Sequence, residues 1–253
     1  MHVDLNITHA VKMVWLAAGL TVIVLVIGAR LIARSVVTTG RFAILVEAMV
    51  DFVRTNIVEE FLGEHAKKWF GFFATLFFFI LFANILGKLP GPVSGTPQNP
   101  KYWLESPTSN INVTGALAIM VFIVAQAVGL VKLGPLAYFK KKFLLPGAPL
   151  VLKLLAIPIM ILVLLAEPFS LAVRLFANMF AGHMVLMTFA TAQMVGGVWL
   201  LRHPNIFVNA AATLPFALSV VLLTFELFIA FIQAFIFALL SALYLSESLE
   251  EHH

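Results

Sequence analysis

The chain of 253 residues contains no cysteine, and only 11% of its residues are charged. Without Cys there are no disulfides, no thiolate metal sites and no thiol nucleophiles. The shortage of charge is more telling, because soluble domains typically carry about 25%. Hydrophobic residues make up 62%, and the mean hydropathy is +1.03. A soluble globule cannot present so apolar a surface, so the chain reads as an integral membrane protein. It also lacks a P-loop, an HExxH and a GxSxG, so nothing within it points to nucleotide binding or hydrolysis, and neither a cofactor nor a metal is expected. The net charge of +4 resides in short loops, with no basic stripe interleaved with exposed aromatics. Nucleic acid is therefore not an expected partner; membrane lipid is. No polar stretch is long enough for a soluble domain and no internal repeat is visible, so residues 1–253 form one membrane domain.

What is present is a series of long apolar runs. Residues 13–33 are long enough to cross about 30 Å of hydrocarbon. This run exceeds a signal-peptide core, and the residues before it are not a basic leader, so it reads as a retained span. Residues 42–66 interleave apolar side chains with Glu47, Asp51 and Arg54 on one helical face, which predicts an amphipathic helix lying at the interface. Further spans are expected at 69–88 and 111–131. Between them, 89–110 reads as a loop, with Tyr102 and Trp103 as interfacial anchors. A basic loop follows, and then two apolar runs, 150–200 and 206–246, each longer than one crossing needs. Pro158 and Pro168 can bend a membrane helix without ending it. These two runs fit either four short spans or two long, tilted helices in a hairpin.

The distribution of Lys and Arg bears on that choice. With two long helices, one side receives Arg30, Arg34, Arg41, Arg54, Lys67, Lys68, Lys132, Lys140, Lys141, Lys142 and Lys153, and the other only Lys12, Lys88, Lys101 and Arg202. A split of eleven to four places the N-terminus outside and the C-terminus in the cytoplasm, and it supports five spans plus an interfacial helix. The fold class expected is an all-α integral membrane protein whose last two helices are long and paired.

One charge is left over. Arg174 is the only Asp, Glu, Lys or Arg between Glu167 and Arg202. A guanidinium keeps its proton in proteins, and an intramembrane Arg is costly enough to be a functional hypothesis by default. Glu167, Ser170, Arg174 and Asn178 follow at helical spacing and form one stripe. Glu226 and Gln233, seven residues apart, share a face of the last helix. With the two helices antiparallel and Gln233 level with Arg174, Glu226 lies about 10 Å and His183 about 13 Å toward the outside, while Glu167 lies about 10 Å toward the cytoplasm. An outer carboxylate–imidazole pair, a fixed central cation and an inner carboxylate make a proton path with a barrier in its middle. Plainer readings exist for each: Glu167 snorkelling to the interface, His183 hydrogen-bonded between helices, a structural Glu226–Arg174 pair, and Asn178 and Gln233 as interhelical glue. A secondary proton-coupled transporter with an Arg anion site would favour repeated halves, and a scaffold has no need of a solitary Arg.

RLFANMFAGH at 174–183 and ELFIAFIQAFIFALLSALYLSESLEEH at 226–252, with FANILGKLPG at 82–91 and PTSNINVT at 107–114, resemble subunit a of the F-type ATP synthases. The resemblance covers the chain from about residue 40 onward. It implies the stator of the proton-translocating membrane sector: two offset aqueous half-channels against a c-ring of small hairpin subunits, with peripheral-stalk b subunits and the rest of the synthase as partners. It also implies no catalysis by the chain alone, and the lack of an import sequence makes a bacterial cell inner membrane the expected location. By position, Arg174 resembles the essential stator arginine facing the c-ring carboxylate, and Gln233 and Asn178 the groups beside it. His183 and Glu226 resemble the outer half-channel pair, Asn84 a polar outer-channel position and Ser170 an inner-channel one. The order His then Glu is the reverse of that in some members, and some carry an acidic residue at the position of Gly87.

Overall fold

A computed structural model describes residues 9–34, 40–88, 93–96, 99–102, 106–143, 150–202 and 206–249. Helix α1 (His9–Arg34) matches the first expected span. Helix α2 (Arg41–Val53) continues through a π turn at Arg54–Glu59 into the short α3 (Glu60–Leu62). Gly63, at φ +48, ends this run in a conformation that favours glycine. Glu47, Asp51 and Arg54 are exposed, whereas Val46, Val53, Ile57, Val58 and Leu62 are buried, as the amphipathic pattern requires. Phe52 anchors this segment, its ring 6.5 Å from Phe77, 5.6 Å from Phe231 and 5.3 Å from Phe235.

Helix α4 (Ala66–Leu86) carries the phenylalanine run. Phe73, Phe77 and Phe78 are buried in the main core with Leu171, Leu175 and Phe237. The segment after α4, read as loop, holds an antiparallel pair, β1 (Val93–Thr96) and β2 (Asn99–Tyr102), with Val93 opposite Tyr102 and Thr96 opposite Asn99. VSGT and NPKY have no apolar alternation, so periodicity offers no strand signal there. Trp103 lies outside the described residues. Helix α5 (Ile111–Leu133) begins at Asn110, whose side chain accepts from the backbone N of Asn112 at 2.9 Å, a regular N-cap. Gly134, at φ +78, stops α5. The expected basic loop then opens instead as α6 (Pro135–Phe143), with proline in the first helical position where its missing N–H costs nothing. Tyr138 of α6 donates to Gln126 and lies against Gly129, pinning α6 to α5.

The two over-long apolar runs are two continuous helices and not four short spans. Helix α7 (Leu150–Arg202) has 53 residues and α8 (Ile206–Leu249) has 44. At 1.5 Å per residue they reach roughly 80 and 65 Å, more than twice a bilayer core of about 30 Å, so both must lie strongly inclined. Pro158 and Pro168 sit inside α7 without ending it. Ala230, Ala234, Ala238 and Ala242, all fully buried, form a smooth line along α8. Small residues in this pattern allow close approach of neighbouring membrane helices. Five stretches are long and apolar enough to cross a membrane: His9–Arg30, Arg41–Leu86, Ile111–Leu133, Leu155–Gly182 and Leu218–Leu249. The chain is a helical multi-pass membrane protein.

Candidate ion-path site

Helix α7 divides its faces sharply. Leu171, Leu175 and Met179, spaced by four, are buried. Ser170, Arg174 and Asn178, on the adjoining face, are exposed in the isolated chain, while Glu167 is half-buried. Large apolar residues are exposed around them: Leu162, Leu165, Phe169, Val173 and Phe180. The expected polar stripe is thus present, and it runs along an open apolar surface. No ion pair to Arg174 occurs among the described residues.

Asn178 Nδ2 donates to Gln233 Oε1 at 2.6 Å and ties α7 to α8. Gln233 thus bonds the residue one helical turn beyond Arg174, and because Gly182 meets Glu226, seven residues before Gln233, the two helices keep close to the expected register. Gln233 is only 2% exposed, so loss of its partner leaves an unsatisfied amide. Asn178→Leu should lower the thermal stability of the assembled protein by about 1 kcal/mol. Adding Gln233→Leu should recover most of that loss in the same melting measurement, because the unpaired amide is then gone.

At the far end of α4, a buried junction joins three helices. Lys88 Nζ lies 2.7 Å from Glu226 Oε2, with both side chains almost inaccessible. Neither carboxylate oxygen has a hydrogen bond of regular geometry, so the contact is an ion pair off the hydrogen-bonding line. The backbone N of Lys88 caps α4 by donating to Ile85 O at 2.8 Å, which puts the ammonium near a helix C-terminus, where the dipole favours a cation. Gly182 of α7 closes the junction: a Cβ there would stand 2.5 Å from Lys88 Nζ and 3.5 Å from Glu226 Cδ. His183 follows Gly182 on α7, so its backbone and Glu226 are neighbours at similar depth; the His183 side chain lies outside the described residues.

One turn along α4 is a polar network without charge. Asn84, fully buried, donates from Nδ2 to Ala230 O at 3.4 Å, and its Oδ1 accepts from Thr108 Oγ1 at 2.6 Å. Ser106 Oγ donates to Ala83 O at 2.9 Å and lies 2.6 Å from Thr108 Oγ1. Two hydroxyl protons serve three links, so the network has more than one bonding arrangement. Towards the other end of the helices, Tyr244 of α8 lies within electrostatic reach of Glu167, Arg174 and Glu247.

Lys88, Ser106, Thr108 and Tyr244 are additions that sequence reasoning missed. Lys88 reads as one more outer-loop lysine. A signal was available, since Asn84 and Lys88 are four apart, as are Glu226 and Ala230, and antiparallel helices can pair both sets. Tyr244 is eleven residues from Gln233, three turns on the same face.

An apolar multi-pass bundle with charged and amide groups gathered between its longest helices belongs to the class of ion-handling membrane proteins. The family model for the ATP synthase A chain matches residues 11–246. ATP synthase subunit a of Myxococcus xanthus is 38% identical over 251 residues, covering 99% of this chain and 75% of that one. The subunit a chains of Granulibacter bethesdensis and Hyphomonas neptunium are 36% and 37% identical, covering 98% of this chain and 90% and 89% of theirs. The chain belongs to the ATP synthase A chain family, and its role is that of the proton-translocating stator subunit of the membrane sector.

Proposed function

We propose that the chain carries out this role through two offset aqueous half-channels separated by Arg174. The outer path runs by Asn84, Glu226 and His183, and the inner path by Ser170 and Glu167. Gln233 and Asn178 hold the two helices beside the barrier. A c-ring of small hairpin subunits docks on the open apolar face of α7, and its carboxylates carry the proton from one path to the other. Peripheral-stalk b subunits hold the chain against the rest of the synthase. The membrane is the bacterial cell inner membrane, with the N-terminus outside and the C-terminus cytoplasmic, and the segment 42–66 lies at the interface.

The observation that carries this reading is Arg174, an exposed charge on a helix face whose large exposed residues are apolar. Its charge cannot be neutralised by proton loss, so the surface that covers it must bring an anion. A carboxylate on a moving neighbour meets that need, and the charge-assisted attraction keeps the carboxylate ionised as it passes. Glu226 is buried beside Gly182, two turns along α7 from Arg174, and has the chemistry to accept a proton from water and release it. Glu226→Gln removes the titrating oxygen at nearly constant volume. In inverted vesicles carrying the whole synthase, ATP-driven proton pumping should fall at least about tenfold, equivalent to a barrier higher by about 1.4 kcal/mol. Unchanged pumping would remove Glu226 from the path.

A further inference from the structure

The outer carboxylate has a resident cation. Lys88 Nζ reaches Oε2 of Glu226 at 2.7 Å, and both Glu226 oxygens are buried. A carboxylate in apolar surroundings stays ionised only with a partner, and a fixed ammonium at this distance is such a partner. The close contact is with Oε2, and Oε1 has no hydrogen-bond partner among the described residues. Gly182 makes the arrangement possible, since any side chain there would intrude on the ammonium. The turn that ends α4 thus supplies the cation, α8 the carboxylate and α7 the gap that lets them meet.

We propose that Lys88 is a positioning residue for proton uptake: seated beneath Gly182, it holds Oε2 of Glu226 and leaves Oε1 as the atom that takes the proton. This rests on the reading that Glu226 lies on the outer path. A proton from a hydronium ion forms an O–H bond at Oε1 and leaves water behind, while Lys88 remains an ammonium. Passing the proton onward breaks that O–H bond and restores the carboxylate–ammonium pair. The junction alternates between zero and one positive charge. Lys88 therefore makes proton release as necessary as proton uptake, because the protonated state leaves a buried cation without its anion. Among the described residues the charged neighbour of Glu226 is Lys88, from the turn after α4, and the His183 position follows Gly182 on α7.

The test is a double-mutant cycle in the intact synthase: Lys88→Met, Glu226→Gln, and both together, each assayed for complex yield, ATP-driven pumping and the infrared carbonyl stretch of a protonated carboxyl. Lys88→Met should assemble and pump about tenfold less than the parent, a change of about 1.4 kcal/mol in the barrier. It should also show a protonated-carboxyl band at neutral pH, because Glu226 has lost its cation and keeps its proton. That band should vanish in the double variant, whose pumping should equal that of Glu226→Gln alone. Gly182→Ala guards against a folding defect at Lys88. It displaces only the flexible tip of the lysine, so the complex should assemble normally and pumping should fall in the same direction by a smaller factor.

Parental pumping in Glu226→Gln would overturn the underlying pathway reading. Reduced pumping there, with parental pumping and no carboxyl band in Lys88→Met, would overturn the role of Lys88 alone. A Lys88→Met defect that persists undiminished in the Glu226→Gln background, or tracks lost complex yield without the band, would reduce Lys88 to a structural residue and equally overturn the proposal.

Discussion

Arg174→Ala is expected to yield a fully assembled synthase that no longer pumps protons with ATP and instead leaks them passively. The fold should tolerate the change. Leu171, Leu175 and Met179 hold α7 in the core from its other face, and the Asn178–Gln233 bond does not involve the guanidinium. What is lost is the positive charge that α7 presents at the middle of its open face. A passing carboxylate then has no reason to release its proton at the barrier, and nothing stops a protonated carboxyl from crossing in either direction. Coupled pumping should drop by about a hundredfold or more, the scale of deleting one charge-stabilising group from a preorganised site. Passive proton conductance of ring-containing vesicles should rise over the same comparison. Arg174→Lys should recover little, because an ammonium can lose its proton in an apolar setting and a guanidinium cannot. Tightly coupled pumping in Arg174→Ala would sink the barrier reading.

Much of this was legible in the chain itself, and the reasons are physical. Bilayer thickness fixes the length of a crossing, so α1, α4 and α5 lie close to where apolar runs of about 20 residues place them. A charge with no neighbour for several turns is visible without a structure, which is why Arg174 was found. Helical spacing also put Glu167, Ser170, Arg174 and Asn178 on one stripe, and the structure keeps them there. The continuity of α7 and α8 was undecided, because a long apolar run with two prolines looks the same whether it bends or breaks. Spacing along one helix says nothing about its offset from the next, so the direct Asn178–Gln233 bond emerges only from the structure. Lys88 was hidden more deeply. Its position in the chain, just after a span and before a Pro/Gly-rich stretch, is that of a loop lysine, and only the crossing of α4 and α8 carries its side chain inward to Glu226. Ser106 and Thr108 are likewise ordinary loop residues until the turn before α5 folds back onto Asn84.

That fold-back makes Gly87 the second position of large expected effect. Its φ of −75 is open to any residue, so the constraint is space alone. A Cβ at Gly87 would stand 2.6 Å from the backbone N of Ser106 and 2.8 Å from its Cα. A backbone atom cannot swing aside as a lysine tip can. Gly87→Ala must therefore push the 106–110 turn away from α4, stretching the Ser106 bond to Ala83 O and the Thr108 bond to Asn84 together. Overpacking of this kind costs about 1–3 kcal/mol before the lost hydrogen bonds are counted. Gly87→Asp makes the same intrusion against Ser106 with a larger side chain and also brings a carboxylate into this packed turn, so its cost is higher. The yield of intact synthase in membranes should fall moderately for Gly87→Ala and to a small remnant for Gly87→Asp, with the solubilised complex melting earlier in the same order. Ser106→Gly introduced alongside Gly87→Ala removes the side-chain clash but neither backbone clash, so it should restore little of the yield. Full yield and parental pumping in Gly87→Asp would mean that the turn is not seated on α4 in the membrane as the Asn84–Thr108–Ser106 packing has it.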